Sequence, residues 1–185
     1  MSKITFMALL SCTVLLTACQ STTITSTDDY DPQRHARIRL YGQNQKPTIM
    51  EYVYNNKPVR KNVGGTLSDA FSSFAGSTEN ISMGMPKTAM INAMRQYDGI
   101  LSKVFYREFA VPAGVPVRVH NAFIGMLYYT SSPIDNYDYV KKVSCKSNIV
   151  TFTPQAGKDY EVVPAHNSEA CGVAVLQVPG HDNPE

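Results

Sequence analysis

Short segments in which apolar and polar residues alternate recur through most of this chain. In residues 36–41, Ala36, Ile38 and Leu40 share one side and the arginines lie on the other. Side chains alternate between the two faces of a strand, so this pattern predicts half-buried β-strands. Similar runs occupy residues 48–54, 105–111, 115–120, 123–129, 145–153, 159–163 and 171–178. About eight short strands separated by turn residues predict a mainly β sandwich, immunoglobulin-like or transthyretin-like.

The segments 105–111 and 115–120 stand on either side of Pro112-Ala113-Gly114. Short loops rich in proline and glycine join the strands of hairpins. We therefore expect these two segments to pair as a hairpin with one buried face.

Residues 55–102 interrupt the alternating pattern and are predicted to form an insertion in the β-domain. Its first part, with residues 57–61 and Gly64-Gly65, is typical of a loop. Pro86 is suited to the first turn of a helix, which predicts a helix over 86–101. One face of that helix would carry Met90, Met94, Tyr97 and Leu101.

The first eighteen residues have the organisation of a secretory signal. Residues 1–3 carry one lysine, residues 4–16 are almost uninterruptedly apolar, and small residues follow. The apolar run is shorter than the roughly 20 residues that a membrane-spanning helix needs. The sequence Leu16-Thr17-Ala18-Cys19 resembles the lipobox of bacterial lipoproteins. The resemblance implies cleavage before Cys19, a diacylglyceryl group on its sulfur, and an acyl chain such as palmitate on the new amino terminus.

The lipobox resemblance also implies where the mature protein lies. Two or more acyl chains hold a protein stably on a membrane. Gln20 stands where an aspartate would favour inner-membrane retention, so we expect an outer-membrane anchor and a domain facing the periplasm. Residues 19–34 begin with a stretch rich in Ser, Thr and Asp and are predicted to form a flexible tether. Residues 35–180 would then form one domain, and residues 181–185 a short tail.

Two internal segments resemble pieces of small lipoproteins of Gram-negative bacteria. They are Tyr106-Arg107-Glu108-Phe109-Ala110-Val111-Pro112-Ala113-Gly114 and Phe152-Thr153-Pro154-Gln155-Ala156-Gly157-Lys158-Asp159-Tyr160-Glu161-Val162. The likeness covers about the carboxyl-terminal half of the chain. It implies membership of that group and a sandwich domain, and it implies no activity.

Charge and cysteine content narrow the function classes. The formal net charge is +2, without the clustered basic face that nucleic-acid binding needs. The basic groups around Arg37 and Arg39, and around Lys141, are expected on solvated strand faces and loops. Of the four cysteines, one lies in the signal and one is Cys19, so Cys145 and Cys171 remain. Because two cysteines remain and the compartment is expected to be oxidising, we predict a disulfide between them.

No catalytic or metal motif stands out in the sequence. The histidines are far apart in the sequence, so we expect each to be exposed or hydrogen-bonded: His35, His120, His166 and His181. There is no Gly-x-Ser-x-Gly or His-Glu-x-x-His pattern and no phosphate-binding glycine loop. Absent motifs do not exclude a site assembled in space, but we expect no enzyme, no cofactor and no metal.

Two clusters are candidate binding residues. The first is a set of methionines, whose thioethers suit Cu(I) but whose flexibility also suits core packing: Met83, Met85, Met90 and Met94. The second is a predicted loop of tyrosines and carboxylates, which is suited to a carbohydrate or protein partner or is a polar connector: Tyr128, Tyr129, Asp135, Tyr137, Asp138 and Tyr139. The favoured function is a membrane-anchored, non-catalytic interaction module that binds a periplasmic or envelope protein. The alternative is a small-ligand or copper-binding lipoprotein.

Overall fold

The computed structural model describes residues 30–65, 80–98, 103–131, 138–166 and 171–179. The predicted signal peptide, Cys19 and the carboxyl-terminal tail lie outside these residues. Within them, no helix has the length and apolar character needed to cross a membrane. In chain order, the strands are β1 His35–Gly42, β2 Thr48–Tyr54, β3 Lys57–Val63, β4 Phe105–Pro112, β5 Val117–Ser131, β6 Asp138–Lys146, β7 Val150–Phe152, β8 Asp159–His166 and β9 Cys171–Val178.

The strands form two sheets that pack as a sandwich, as the alternation predicted. Sheet 1 has four strands in the order β4-β1-β8-β9, and its only parallel pair in the described chain is β1 with β8. Sheet 2 has the order β3-β2-β5-β6, and β7 pairs with β5. The mainly β sandwich is therefore confirmed.

The core lies between the inner faces of the two sheets. Ile38 and Leu40 of β1 are fully buried there, as their alternation with the arginines predicted. Each fully buried aliphatic side chain of this kind stabilises the fold by about 1.5–3 kcal/mol. The other strands add further residues with little or no exposure: Met50, Tyr52, Val63, Phe105, Val111, Val117, Val119, Tyr160 and Val162.

The two sheets meet closely where β1 ends. A side chain at Gly42 would place its Cβ 2.2 Å from the carbonyl oxygen of Val63 on β3. Only glycine allows this approach of the two backbones. The close contact holds the end of sheet 1 against the edge of sheet 2.

The predicted hairpin of residues 105–111 and 115–120 is wrong. β4 pairs with β1 in sheet 1, whereas β5 pairs with β2, β6 and β7 in sheet 2. Pro112 and Pro116 lack the N–H groups that a ladder across the turn would need. The chain between them crosses from one sheet to the other, with the amide of Gly114 bonded to the carbonyl of Pro154. Residues 117–131 also form one continuous strand instead of the two predicted.

The predicted insertion needs two corrections. Residues 57–61, predicted as a loop, belong to the edge strand β3, which is paired with β2 over Lys57–Val63. The predicted helix 86–101 is much shorter, since α1 spans Ala89–Met94 and a 3-10 turn follows at Arg95–Tyr97. Residues 86–88 are held against sheet 1 by side chains, and Thr88 is extended with φ −115° and ψ 160°. Leu101 lies outside the described residues.

Cys145 and Cys171 lie at disulfide distance, as predicted. Their Cα atoms are 5.7 Å apart, within the range of disulfides. Cys145 is near the end of β6 and Cys171 begins β9, so the bond links the edge of sheet 2 to the edge of sheet 1.

Candidate functional site

The outer face of sheet 1 carries a row of charged residues whose positions follow from strand register. On β1, Arg39 stands opposite Glu108 of β4 on one side and Glu161 of β8 on the other. Two residues earlier, Arg37 stands opposite Asp159 of β8. Directly opposite residues on neighbouring strands share a face, so each arginine meets a carboxylate.

Arg39 is almost completely buried, with 1% of its surface exposed. Its guanidinium lies 2.7 Å from an oxygen of Glu108 and 2.6 Å from Oε1 of Glu161. The expectation that the arginines of β1 lie on a solvated face is wrong for Arg39. A charge is buried only where ion pairs and hydrogen bonds compensate its lost hydration, and here two carboxylates do so.

Residues 80–88, here called the strap, cover this charged face. Glu108 accepts hydrogen bonds through Oε2 from the hydroxyl of Ser82 and from the amides of Met83 and Met85. Arg39 donates to the carbonyl of Pro86 at 2.8 Å. The strap is thus fixed by side chains of the sheet that bond to its backbone.

Glu161 and Arg37 extend the network at its two ends. Oε1 of Glu161 accepts hydrogen bonds from the hydroxyls of Tyr41 and Thr88, at 2.7 and 2.6 Å. Arg37 donates to both oxygens of Asp159 and to the carbonyl of Met83. Every ionised group of this cluster has charged and polar partners, so the arrangement is suited to holding the strap on the sheet.

Burial and hydrogen bonding shift the pKa values of the enclosed groups. The pKa of Tyr41 is raised, first by burial and then by its hydrogen bond to Glu161. Burial alone would lower the pKa of Arg39, but its hydrogen bonds to Glu108 and Glu161 outweigh that effect and the net shift is upward. Tyr41 therefore stays protonated and Arg39 stays charged at neutral pH.

A cleft of about 590 Å³ opens on sheet 2, beside the β2–β3 hairpin. The ladder between β2 and β5 ends at the pair Glu51–Arg118, and β2 continues to Tyr54 without β5. The cleft arises because the chain before β5 leaves toward sheet 1. Its walls are mostly apolar and include Val53, Val59 and Val115. The side chain of Val53 is 60% exposed.

The rim of the cleft carries three charged side chains on neighbouring strands. Glu51 of β2 lies between Arg60 of β3 and Arg118 of β5. Glu51 forms an ion pair with Arg60. Arg118 is exposed and has no ion-pair partner among the described residues. The rim therefore has one positive charge in excess.

His120, expected to be exposed or hydrogen-bonded, is buried. It is 5% exposed, and its Nδ1 has no hydrogen-bond partner among the described residues. Burial lowers its pKa, and nearby Lys146, Arg60 and Arg118 act in the same direction against Glu51. His35 agrees with the expectation, since its Nδ1 accepts a hydrogen bond from the backbone amide of Asp31. The side chain of His166 and all of His181 lie outside the described structure.

The edge of sheet 1 at β9, which pairs only with β8 among the described strands, differs from the other sheet edges. β4 is covered, because Tyr106 and Glu108 exchange hydrogen bonds with residues 80 and 81. β3 carries two lysines, an arginine and a proline, and β6 carries three lysines. β9, with the sequence CGVAVLQV, has no charged residue and ends sheet 1 among the described strands. Charges and prolines normally protect edges from pairing, and β9 has neither.

The predicted tyrosine loop is in large part a strand pair. Tyr128 and Tyr129 belong to β5, opposite Lys141 and Val140 of β6. Asp138 and Tyr139 begin β6. Asp135 and Tyr137 lie outside the described residues. Tyr128 and Tyr129 therefore lie on a strand, as the run 123–129 predicted, whereas Asp138 and Tyr139 are on a paired strand instead of in the predicted loop.

The methionines are largely buried under or beside the strap. Met83, Met85 and Met94 are 6%, 5% and 3% exposed, whereas Met90 is half-buried. This burial favours the packing interpretation over an accessible thioether site. Among the described residues, no cluster of three or more His, Cys, Asp or Glu side chains is suited to a metal ion.

Sequence reasoning missed both the cleft of sheet 2 and the uncharged edge strand β9. The cleft depends on where β2 and β5 separate, which no local pattern reveals. A signal for the edge was present, since eight consecutive residues of β9 lack charge. No protein-family model, curated protein or solved structure matches this chain.

Proposed function

We propose that this protein is a lipoprotein anchored in the outer membrane, whose periplasmic domain is a non-catalytic module that binds an envelope protein. The observation that carries the proposal is the uncharged edge of β9, which pairs with no strand other than β8 among the described strands. An extended segment of a partner would add to sheet 1 there through backbone hydrogen bonds. The partner segment would be uncharged, because β9 offers no charge to pair with.

The arrangement of side chains on β9 supports this mode of binding. Val173 and Val175 pack against the core from β9, while Ala174 and Leu176 alternate with them on the outer face. Leu176 is 42% exposed. A partner strand would extend both the core and the outer apolar row. The ionisable cluster of sheet 1, by contrast, is engaged in holding the strap.

The lipid anchor is tested with the cysteines of the amino-terminal segment. Cys19→Ser should abolish incorporation of a labelled fatty acid and release the protein from membranes washed with high salt. The reason is that serine lacks the thiol to which diacylglycerol is attached. Without that lipid, no acyl group holds the protein on the bilayer. Cys12→Ser is the matched control and should remain labelled and membrane-bound. Labelling of the Cys19→Ser protein would contradict the anchor.

The β9 interface is tested by photocrosslinking in intact cells. A photoreactive amino acid at Gln177, exposed on β9, should form a specific adduct with an envelope protein, and one at exposed Asn148 should not. Leu176→Lys should reduce the Gln177 adduct at least tenfold, because a lysine on an edge strand opposes pairing. Ile149→Lys is the matched control, since Ile149 is also 42% exposed. Equal adducts in the two lysine variants, or an adduct with a second copy of this chain alone, would overturn the proposed envelope partner.

A further inference from the structure

We propose that the cleft of sheet 2 binds the carboxyl-terminal end of an extended peptide, with the terminal carboxylate beside Arg118. This site is separate from the β9 edge and does not depend on the proposed envelope partner. It rests on three features of the cleft: an open strand edge, apolar walls and a single excess positive charge.

The open strand edge supplies backbone partners. β2 is paired with β3 as far as Tyr54, but its ladder with β5 stops at Glu51. Backbone groups of successive strand residues point alternately to the two sides. At least one of the residues 52–54 therefore directs its N–H and C=O into the cleft. A peptide offers matching groups, whereas a fatty acid does not.

The length and walls of the cleft suit a short apolar segment. The three residues 52–54, which are unpaired on the side of β5, span roughly 10 Å at about 3.3 Å per residue. The volume of about 590 Å³ lies within the range of pockets that enclose small ligands. Val53, Val59 and Val115 line it. Apolar side chains at the end of a peptide would lie against these three valines.

The position of the peptide's terminal carboxylate follows from the charge of Arg118 and from the direction of the peptide along β2. Glu51 is opposite both Arg60 and Arg118 but forms its ion pair with Arg60. Arg118 therefore remains to pair with an anion. A peptide antiparallel to β2 would run in the same direction as β5 and would end where β5 begins, at residues 117 and 118. Its terminal carboxylate would then lie beside the Arg118 guanidinium, which favours charge-assisted hydrogen bonds.

The test uses fluorescence anisotropy with the full-length protein in lipid nanodiscs. The probe is a fluorescein-labelled peptide, Gly-Ser-Thr-Val-Thr-Val, with a free carboxyl terminus, and its amidated form is the matched ligand. We expect the acid to bind at least tenfold more tightly than the amide. Arg118→Gln should weaken binding of the acid at least tenfold and leave the amide unchanged. Arg34→Gln, which removes an exposed arginine that does not line the cleft, should change neither.

A second variant tests the apolar wall without disturbing the core. Val53→Glu places a carboxylate at a 60% exposed position in the cleft and should weaken binding of the acid at least tenfold. Equal binding of acid and amide, or no effect of either cleft variant, would overturn the proposal. Decanoate binding that depends on Arg118, with no binding of the peptide, would assign the site to acyl carboxylates and would also overturn it. Loss of the β9 adduct in cells affects none of these results.

Discussion

Replacing Arg39 by methionine should lower the free energy of unfolding by about 3–5 kcal/mol, the cost of leaving buried charges without their partner. Arg39 is 1% exposed and is the shared partner of Glu108 and Glu161. Its removal leaves two carboxylates close together on one sheet face. Natural domains are stable by only about 5–15 kcal/mol, so the loss would be a large part of the total.

The measurement is urea unfolding followed by circular dichroism, with the disulfide intact. The slope of the free energy of unfolding against urea concentration should stay the same. An unchanged slope would show that the variant changes the stability and does not change the surface exposed on unfolding. Arg60→Met is the matched control, because the Arg60–Glu51 pair is 59% and 27% exposed and should contribute at most about 1 kcal/mol. A loss in Arg39→Met no larger than in Arg60→Met would contradict a buried, energetically coupled cluster.

The sequence predicted those strands in which apolar and polar residues alternate. β2 and β9 have the predicted bounds, and β1 extends its prediction by one residue at each end. Residues 57–63 were missed because Pro58 and three basic residues are atypical of strand interiors. An edge strand tolerates them, since one of its sides needs no hydrogen bonds.

The buried cluster was not predictable because its partners are distant in sequence. Arg39 is 69 residues from Glu108 and 122 from Glu161. An arginine that alternates with apolar residues is usually on a solvated face. Only the register of β4 and β8 against β1 shows that both neighbours are carboxylates. The same cluster explains the short helix, because Pro86 and Thr88 bond to Arg39 and Glu161 instead of starting a helical turn.

The second large effect should come from the disulfide. The double variant Cys145→Ala, Cys171→Ala should lower the free energy of unfolding by about 3–4 kcal/mol, because a bond closing a loop of this length restricts the unfolded chain. The two cysteines are 26 residues apart and connect β6 to β9. Beyond this entropic effect, β9 should lose its tie to sheet 2 at one end.

Two measurements separate the global and local effects. Urea unfolding of the double variant, compared with the oxidised and reduced native protein, gives the global loss, and reduction should leave the variant unchanged. Hydrogen exchange gives the local effect, because amides near Cys171 should lose more protection than those near Val178, which is buried at the far end of β9. Uniform loss of protection along β9 would show that the disulfide acts only through the unfolded chain. A stability equal to that of the oxidised protein would contradict the bond itself.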